Sequence, residues 1–212
     1  PMFGRETVSP NARTRLGIRM LRNPKSDGFG NSTQAKWPAG QDGKFSGQDL
    51  VQTIYNNRSF WAEQYLGELN SRCTSIGNTA VNLPDGGSRG VDEGCSALQS
   101  WDGYYDLDSQ GAHTFRVFMA NYLNVIEANP GELTTGFDPQ KPVATPADPS
   151  STNAGTVDDP MLQSLAQGLS ALDKAGVSYD ASLRDVQVSH LSGGVPPGGT
   201  PMRLGSEVPW HG

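Results

Sequence analysis

One serine of this 212-residue chain lies in a pattern that is typical of a catalytic nucleophile. Gly86-Gly-Ser-Arg-Gly90 matches G-x-S-x-G, the sharp turn that exposes a serine between a strand and a helix. That turn needs a buried strand before it, whereas Asn82-Leu-Pro-Asp85 precedes it here. We therefore interpret Ser88 as a loop residue and not as a nucleophile.

Acidic side chains cluster a little further along the chain. Asp106-Leu-Asp-Ser-Gln-Gly111 resembles the first half of a calcium loop, but Val117 stands where such a loop needs a bidentate glutamate. Asp102 and Asp106 could act as the paired carboxylates of a glycosidase, although the sequence does not determine their separation. Helix capping explains Asp108 without a metal, and Trp101-Asp102-Gly103 is more typical of a helix terminus with a packed tryptophan. We therefore predict no metal site and no cofactor.

The three histidines, His113, His190 and His211, are scattered along the chain. A Ser-His-Asp triad assembles in space and does not depend on the order of its members. None of the three has a supporting local motif, however. Packing or a helix-end interaction is the default role for His113.

Four arginines lie at helical spacing near the start of the chain: Arg13, Arg15, Arg19 and Arg22. Ser9 can cap a helix here, Pro10 suits its first position and Pro24 would stop it. We therefore predict a helix from Pro10 to Leu21. A solvated or salt-bridged helix face is the simplest interpretation of the arginines.

Three further helices are predicted before position 102. Ser46 and Asp49 form a Ser-x-x-Asp capping box, which indicates a helix that runs to about Asn56. The segment from Phe60 to Leu69 has a broad apolar face, and Val91 to Trp101 is a short helix.

The strongest helical pattern of the chain predicts a helix that is capped by Asp108 or Ser109. Asn129-Pro130-Gly131 is predicted to end this helix. Its apolar side chains recur every three or four residues: Phe115, Phe118, Met119, Tyr122, Leu123 and Ile126.

The last predicted helix is capped by Asp158 or Asp159, has Pro160 after the cap and ends at Gly176. Its leucines are spaced by three and four: Leu162, Leu165, Leu169 and Leu172. Val186-Gln-Val188 is then predicted to form a short strand.

Taken together, these elements predict a mainly α fold with very little strand. Only 35% of the residues are hydrophobic, and 26 glycines and 15 prolines imply long irregular stretches. We expect residues 1–212 to form a single helical segment, with an extended Pro-rich strap at 137–158 and an irregular tail at 189–212.

Charge and hydropathy exclude two classes of partner. A net charge of -6 argues against nucleic-acid binding, and no window approaches the ~18 apolar residues of a membrane span. The start of the chain also lacks the pattern of a signal peptide.

Cys73 and Cys95 flank a Gly- and Asn-rich loop that has little apolar surface to bury. A disulfide would stabilise such a loop by removing conformational entropy from the unfolded chain. We favour this bridge over two free buried thiols, and it implies an oxidising compartment.

The stretch from Cys95 to Phe115 resembles a segment of the penicillin acylase family, which includes acyl-homoserine lactone acylases and aculeacin-type lipopeptide acylases. The resemblance is carried by a Leu-x-x-Trp-Asp pair at 98–102 and by Asp106-x-Asp-Ser-x-Gly-Ala112. Phe137-Asp-Pro, Pro142-Val-Ala-Thr-Pro146 and Val208-Pro-Trp-His-Gly212 are also similar to family patterns.

This resemblance implies an N-terminal-nucleophile hydrolase that removes an acyl chain from an amine-bearing core such as a homoserine lactone, a β-lactam or a lipopeptide. Ala12-Arg-Thr-Arg-Leu16 is similar to the start of the family helix that carries the active-site arginine, which supports the oxyanion-binding asparagine. Arg13 is therefore the candidate catalytic residue, and Arg15 is the alternative if the register differs by two. The chain begins with Pro1, so we expect the nucleophile to be absent and this segment to be inactive alone.

The resemblance further implies an internal β-chain segment whose partners are the α-chain, the rest of the β-chain and a small acylated substrate. A periplasmic or secreted location follows from the same family. The alternative is a secreted all-α binding or structural module without catalysis. The low apolar content and a loop closed by a disulfide are also compatible with such a module.

Overall fold

Helices dominate the computed structural model, which describes residues 8–24, 26, 28–29, 40 and 42–186. The helices are α1 (Ala12–Arg22), α2 (Gly47–Ile54), α3 (Phe60–Ile76), α4 (Asp92–Ser100), α5 (Ala112–Ala128), α6 (Pro160–Ala175) and α7 (Leu183–Val186), with a 3-10 turn at Pro130–Glu132. The strands are β1 (Val81–Asn82), β2 (Ser88–Arg89), β3 (Leu133–Thr135) and β4 (Ala147–Pro149). They form two separate antiparallel pairs, so the described part of the chain is mainly α, as the sequence predicts.

Most predicted helix ends agree with the structure because local capping chemistry determines them. The capping box of α2 is formed, with the Asp49 backbone N–H donating to Ser46 Oγ and the Ser46 N–H donating to the Asp49 carboxylate. Asp159 caps α6, Pro160 occupies the first helical position, and Gly176 ends the helix in the left-handed conformation.

Two predicted caps are wrong. α1 is capped not by Ser9 but by Asn11, whose side-chain oxygen accepts a hydrogen bond from the Thr14 N–H at 2.9 Å. α5 begins after Gly111, at φ 84°, and not at Asp108 or Ser109. A Cβ at Gly111 would lie 2.8 Å from the carbonyl oxygen of Ala97. The close approach of α4 therefore determines where α5 starts, and it requires glycine there.

Helix α3 extends two turns beyond the predicted Leu69. No glycine or proline lies between Leu69 and Gly77, and the buried stripe continues through Cys73 and Ile76. Cys73 is joined to Cys95 of α4 by a disulfide across a separation of 22 residues. This bridge fastens α3 to α4 and closes the loop that contains β1 and β2.

The core lies where α5 packs along α6, with α3 and α4 against them. The apolar stripe predicted for α5 faces this core, and its first four members are buried: Phe115, Phe118, Met119 and Tyr122. On α6, Gly168 permits close contact, because a Cβ there would lie 2.9 Å from the Val117 side chain. The four predicted leucines of α6 are also buried.

The predicted strap crosses from the end of α5 to the start of α6. Its strand β4 pairs with β3, with Leu133 opposite Pro149 and Thr135 opposite Ala147. The Thr145–Pro146 peptide bond is cis. Val186 lies in α7, so it does not begin a strand as predicted. Residues 187–188 and the predicted tail at 189–212 lie outside the described residues.

None of the described helices combines the length and the apolar character that crossing a lipid bilayer requires.

Candidate functional site

The two candidate arginines lie on different sides of α1. Residues two apart on an α-helix are separated by about 200° around its axis, so only one of the pair can face the protein interior. Arg15 does so and is 3% exposed, whereas Arg13 is exposed. This difference gives the two guanidinium groups different roles.

Arg15 joins α1 to the strap. Its Nε donates to the carbonyl oxygen of Val143 and its Nη2 to that of Pro146, each at 3.0 Å. Its guanidinium also lies over the ring of Phe60, 4.4 Å from the ring centre, a favourable cation–π arrangement. Burial, followed by the nearby charge of Arg19, lowers the pKa of Arg15, but an arginine stays charged at any physiological pH.

Arg13 lies at the edge of a groove between α1 and α2 with a volume of about 640 Å³. Apolar side chains of α1 and α2 line the groove, together with Asn57, Arg58 and Tyr105. Among the residues that the structure describes, no carboxylate or carbonyl group pairs with Arg13. Its side chain is exposed at the groove.

A buried carboxylate stabilises the other end of α1. Glu63 of α3 accepts hydrogen bonds from Arg58 at 2.6 Å, and Arg19 Nη1 lies 3.7 Å from its second oxygen. Burial raises the pKa of Glu63, although Arg58 and then Arg19 oppose this shift. The sequence interpretation of a solvated or salt-bridged helix face therefore holds for Arg13, Arg19 and Arg22, but not for the buried Arg15.

The acidic turn between α4 and α5 has structural contacts. Asp106 accepts a hydrogen bond from Asn57 at 3.0 Å, and Asp108 forms an exposed ion pair with Arg184 at 2.7 Å. Asp102 Oδ1 accepts from the backbone N–H of Tyr104. Across the described ranges, no three His, Cys, Asp or Glu side chains are grouped closely enough to hold a metal ion.

Ser88 is an exposed residue of the β1–β2 hairpin, with Asn82 opposite. The preceding glycines, Gly86 and Gly87, have positive φ and make the turn. The strand before the serine is only two residues long, so the hairpin lacks the geometry of a nucleophile elbow. Ser88 is thus a turn residue, as interpreted from the sequence.

His113 is buried in the first turn of α5, with Nε2 2.7 Å from the carbonyl oxygen of Ser178. Burial lowers its pKa, so the neutral imidazole is favoured. Beside it, Thr114 Oγ1 donates to the carbonyl oxygen of Tyr179. Both residues hold the segment after α6 in place. His190 and His211 lie outside the described residues.

One buried ion pair was not anticipated from the sequence. Arg72 of α3 donates to Asp159 at 2.9 Å, to Glu68 at 2.9 Å and to the carbonyl oxygen of Ser150 in the strap at 2.7 Å. Burial works to lower the pKa of Arg72, but Asp159 and Glu68 outweigh it, and the net shift is upward. A signal was present: Arg72 lies on the same stripe as Leu69, so a charge there requires a buried partner.

The described helices thus form an open groove that is lined in part by the exposed Arg13. The profile of the penicillin amidase family matches residues 2–212. The chain therefore belongs to the penicillin amidase family.

Individual relatives are acylases. The chain is 30% identical over 172 residues to the acyl-homoserine lactone acylase PvdQ of Pseudomonas savastanoi pv. phaseolicola, covering 78% of this chain and 20% of that protein. It is 30% identical over 165 residues to the PvdQ of Pseudomonas syringae pv. tomato, with 77% and 20% covered. Aculeacin-A acylase of Actinoplanes utahensis is 27% identical over 150 residues, with 69% and 16% covered. The chain thus spans about a fifth of the length of the first two relatives.

Proposed function

We propose that residues 1–212 form one helical segment of a larger amide hydrolase that removes an acyl chain from an amine-bearing core. The observation that carries this proposal is the match to the penicillin amidase family over residues 2–212. The relatives are named for two acylated compounds, a homoserine lactone and aculeacin A. An amide-linked acyl group is the chemistry that these names share, so we assign the substrate class at that level and leave the amine partner open among homoserine lactones, β-lactams and lipopeptides.

In this proposal, Arg13 is the residue that the segment contributes to the active site. Hydrolysis of an amide passes through a tetrahedral intermediate whose oxygen carries negative charge. A guanidinium group stays charged and can hold a neighbouring oxyanion-binding side chain through planar hydrogen bonds. The exposure of Arg13 at the groove supports this role, whereas the contacts of Arg15 with Val143, Pro146 and Phe60 support a structural role.

The attacking nucleophile belongs, in the same proposal, to another part of an N-terminal-nucleophile hydrolase. The α-chain and the rest of the β-chain would complete the site around the segment. The Cys73–Cys95 disulfide supports folding in an oxidising compartment, so we propose a periplasmic or secreted location. The full reading frame is the first check, because a Gly-Ser or Gly-Cys processing site upstream is expected.

The decisive experiment compares arginine variants of the full-length protein. We expect Arg13→Ala to lower kcat/KM for an N-acyl-homoserine lactone or an acylated lipopeptide by about 10- to 100-fold, since losing one oxyanion-hole donor costs about 10²–10³ and Arg13 acts through such a donor. Arg22→Ala is the matched control, because Arg22 is also exposed on α1, and it should change kcat/KM less than twofold. Equal activity of the two variants would remove Arg13 from the site.

The isolated polypeptide of residues 1–212 should hydrolyse none of these substrates. Turnover by that polypeptide, abolished by Arg13→Ala, would show that it carries a complete active site and would overturn the proposal.

A further inference from the structure

Helix α2 is oriented with its apolar side chains toward solvent. Leu50, Val51 and Ile54 are 46%, 53% and 69% exposed. The polar residues Gln52 and Thr53 are half-buried, and no residue of the helix is fully buried. This is the reverse of the usual arrangement, in which the apolar side of a surface helix packs on the core.

The exposed apolar surface continues from α2 onto α1. Leu21 and Tyr55 are 51% and 57% exposed, and together with Leu50 and Ile54 they line the α1–α2 groove. Charged and amide side chains also line the groove, among them Arg13, Asn56, Asn57 and Arg58. Exposed apolar and aromatic side chains together with arginine are a composition that protein–protein interfaces favour.

A helix of this length needs that surface to be covered. α2 has eight residues, whereas isolated helices shorter than about 12–15 residues are marginal in water and depend on tertiary packing of their apolar side. The capping box stabilises only its first turn. Since the apolar side chains of α2 stay about half exposed or more among the described residues, a partner that covers them would stabilise the helix.

We propose that the apolar side of α2 and the adjoining α1–α2 groove form a permanent interface with another part of the same longer protein. A transient ligand such as an acyl chain would leave α2 unsupported between catalytic cycles. The first two relatives are about five times longer than the region matched here, so ample chain is available for this contact. The inference depends on family membership and on the greater length of the relatives, not on the role of Arg13, and the two proposals can fail independently.

Hydrogen exchange of the full-length protein without substrate tests the proposal. We expect the amides of residues 50–54 to exchange at least tenfold more slowly than their intrinsic rates. Ile54→Lys should abolish that protection and lower the melting temperature of the full-length protein by several degrees. Gln48→Glu, at an exposed polar position in the first turn of the same helix, is the matched control and should change neither quantity. A negative charge at position 48 and a positive charge at position 54 both interact favourably with the helix dipole. The two variants therefore differ mainly in the surface on which the new charge lies.

Three outcomes would overturn the proposal. Rapid exchange of α2 under all conditions would mean that nothing covers it. Protection that appears only when an N-acyl-homoserine lactone is added would make the groove a ligand site. Protection that depends on protein concentration, together with a dimer in light scattering, would make a second copy the partner.

Discussion

The buried contact between Arg72 and Asp159 should be among the strongest single polar contributions to stability. Arg72 is 2% exposed and Asp159 is fully buried. The arginine connects α3 with the strap and with the first turn of α6, because its three donors reach Glu68, Ser150 and Asp159. Asp159 also accepts hydrogen bonds from the N–H groups of Gly155 and Met161.

Replacing Arg72 with methionine keeps much of the side-chain volume but leaves the Asp159 carboxylate buried without a counter-charge. Removing one partner of a buried ion pair costs about 3–5 kcal/mol, because the remaining charge is neither solvated nor paired. For a chain of this size, each 1 kcal/mol lowers the melting temperature by about 2–4 °C. We therefore expect Arg72→Met to lower the melting temperature by about 6–20 °C.

The matched control is Arg184→Met. Arg184 and Asp108 are joined at 2.7 Å, a distance similar to that of the buried pair, but their side chains are 52% and 84% exposed. Exposed ion pairs contribute about 0–1 kcal/mol, so this variant should melt almost as the wild type does. Urea denaturation of both variants and of the wild type gives the free energies of unfolding. If the two variants lose equal stability, burial does not determine the strength of these pairs and the reasoning is wrong.

Two further perturbations follow from buried groups. Replacing Cys73 and Cys95 with alanine should lower the free energy of unfolding by about 3 kcal/mol, because the disulfide joins residues 22 positions apart and so restricts the unfolded chain. Urea denaturation measures this loss, and an unchanged midpoint would contradict the expectation. Glu132 accepts a hydrogen bond from Tyr122, and burial raises its pKa. Because the pKa of Glu132 is higher in the folded chain than in the unfolded chain, its contribution to stability is fully present below the unfolded-state pKa. That contribution is lost as the pH rises through the folded-state pKa. Glu132→Gln should therefore raise the melting temperature at pH 8 and leave it nearly unchanged at pH 4, and a pH-independent effect would count against this explanation.

Local chemistry explains which elements were predictable from the sequence. The capping box of α2, the Asp159–Pro160 start of α6 and the apolar stripe of α5 depend on residues within a few turns of one another. The cap of α5 was not predictable in this way, since Gly111 is required by the approach of Ala97 in another helix.

The candidate site was only partly accessible from the sequence. The spacing of the arginines in α1 indicated a helix face, and the family resemblance singled out Arg13 with Arg15 as the alternative. Their different environments depend on Phe60, more than 40 residues away, and on the strap near Val143. The ion pair of Arg72 was missed for the same reason, because Asp159 lies 87 positions further along the chain.

The sequence by itself determined the mainly α character, the positions of the principal helices and the pairing of the two cysteines, because propensity, capping and loop closure are local or involve few alternatives. Tertiary structure alone decided which arginine of α1 is buried, which buried charges are paired, and that α2 directs its apolar side outward. These outcomes depend on which distant segments pack against one another. The periodicity of one helix predicts which side chains share a face, but it does not predict which residues pack against that face.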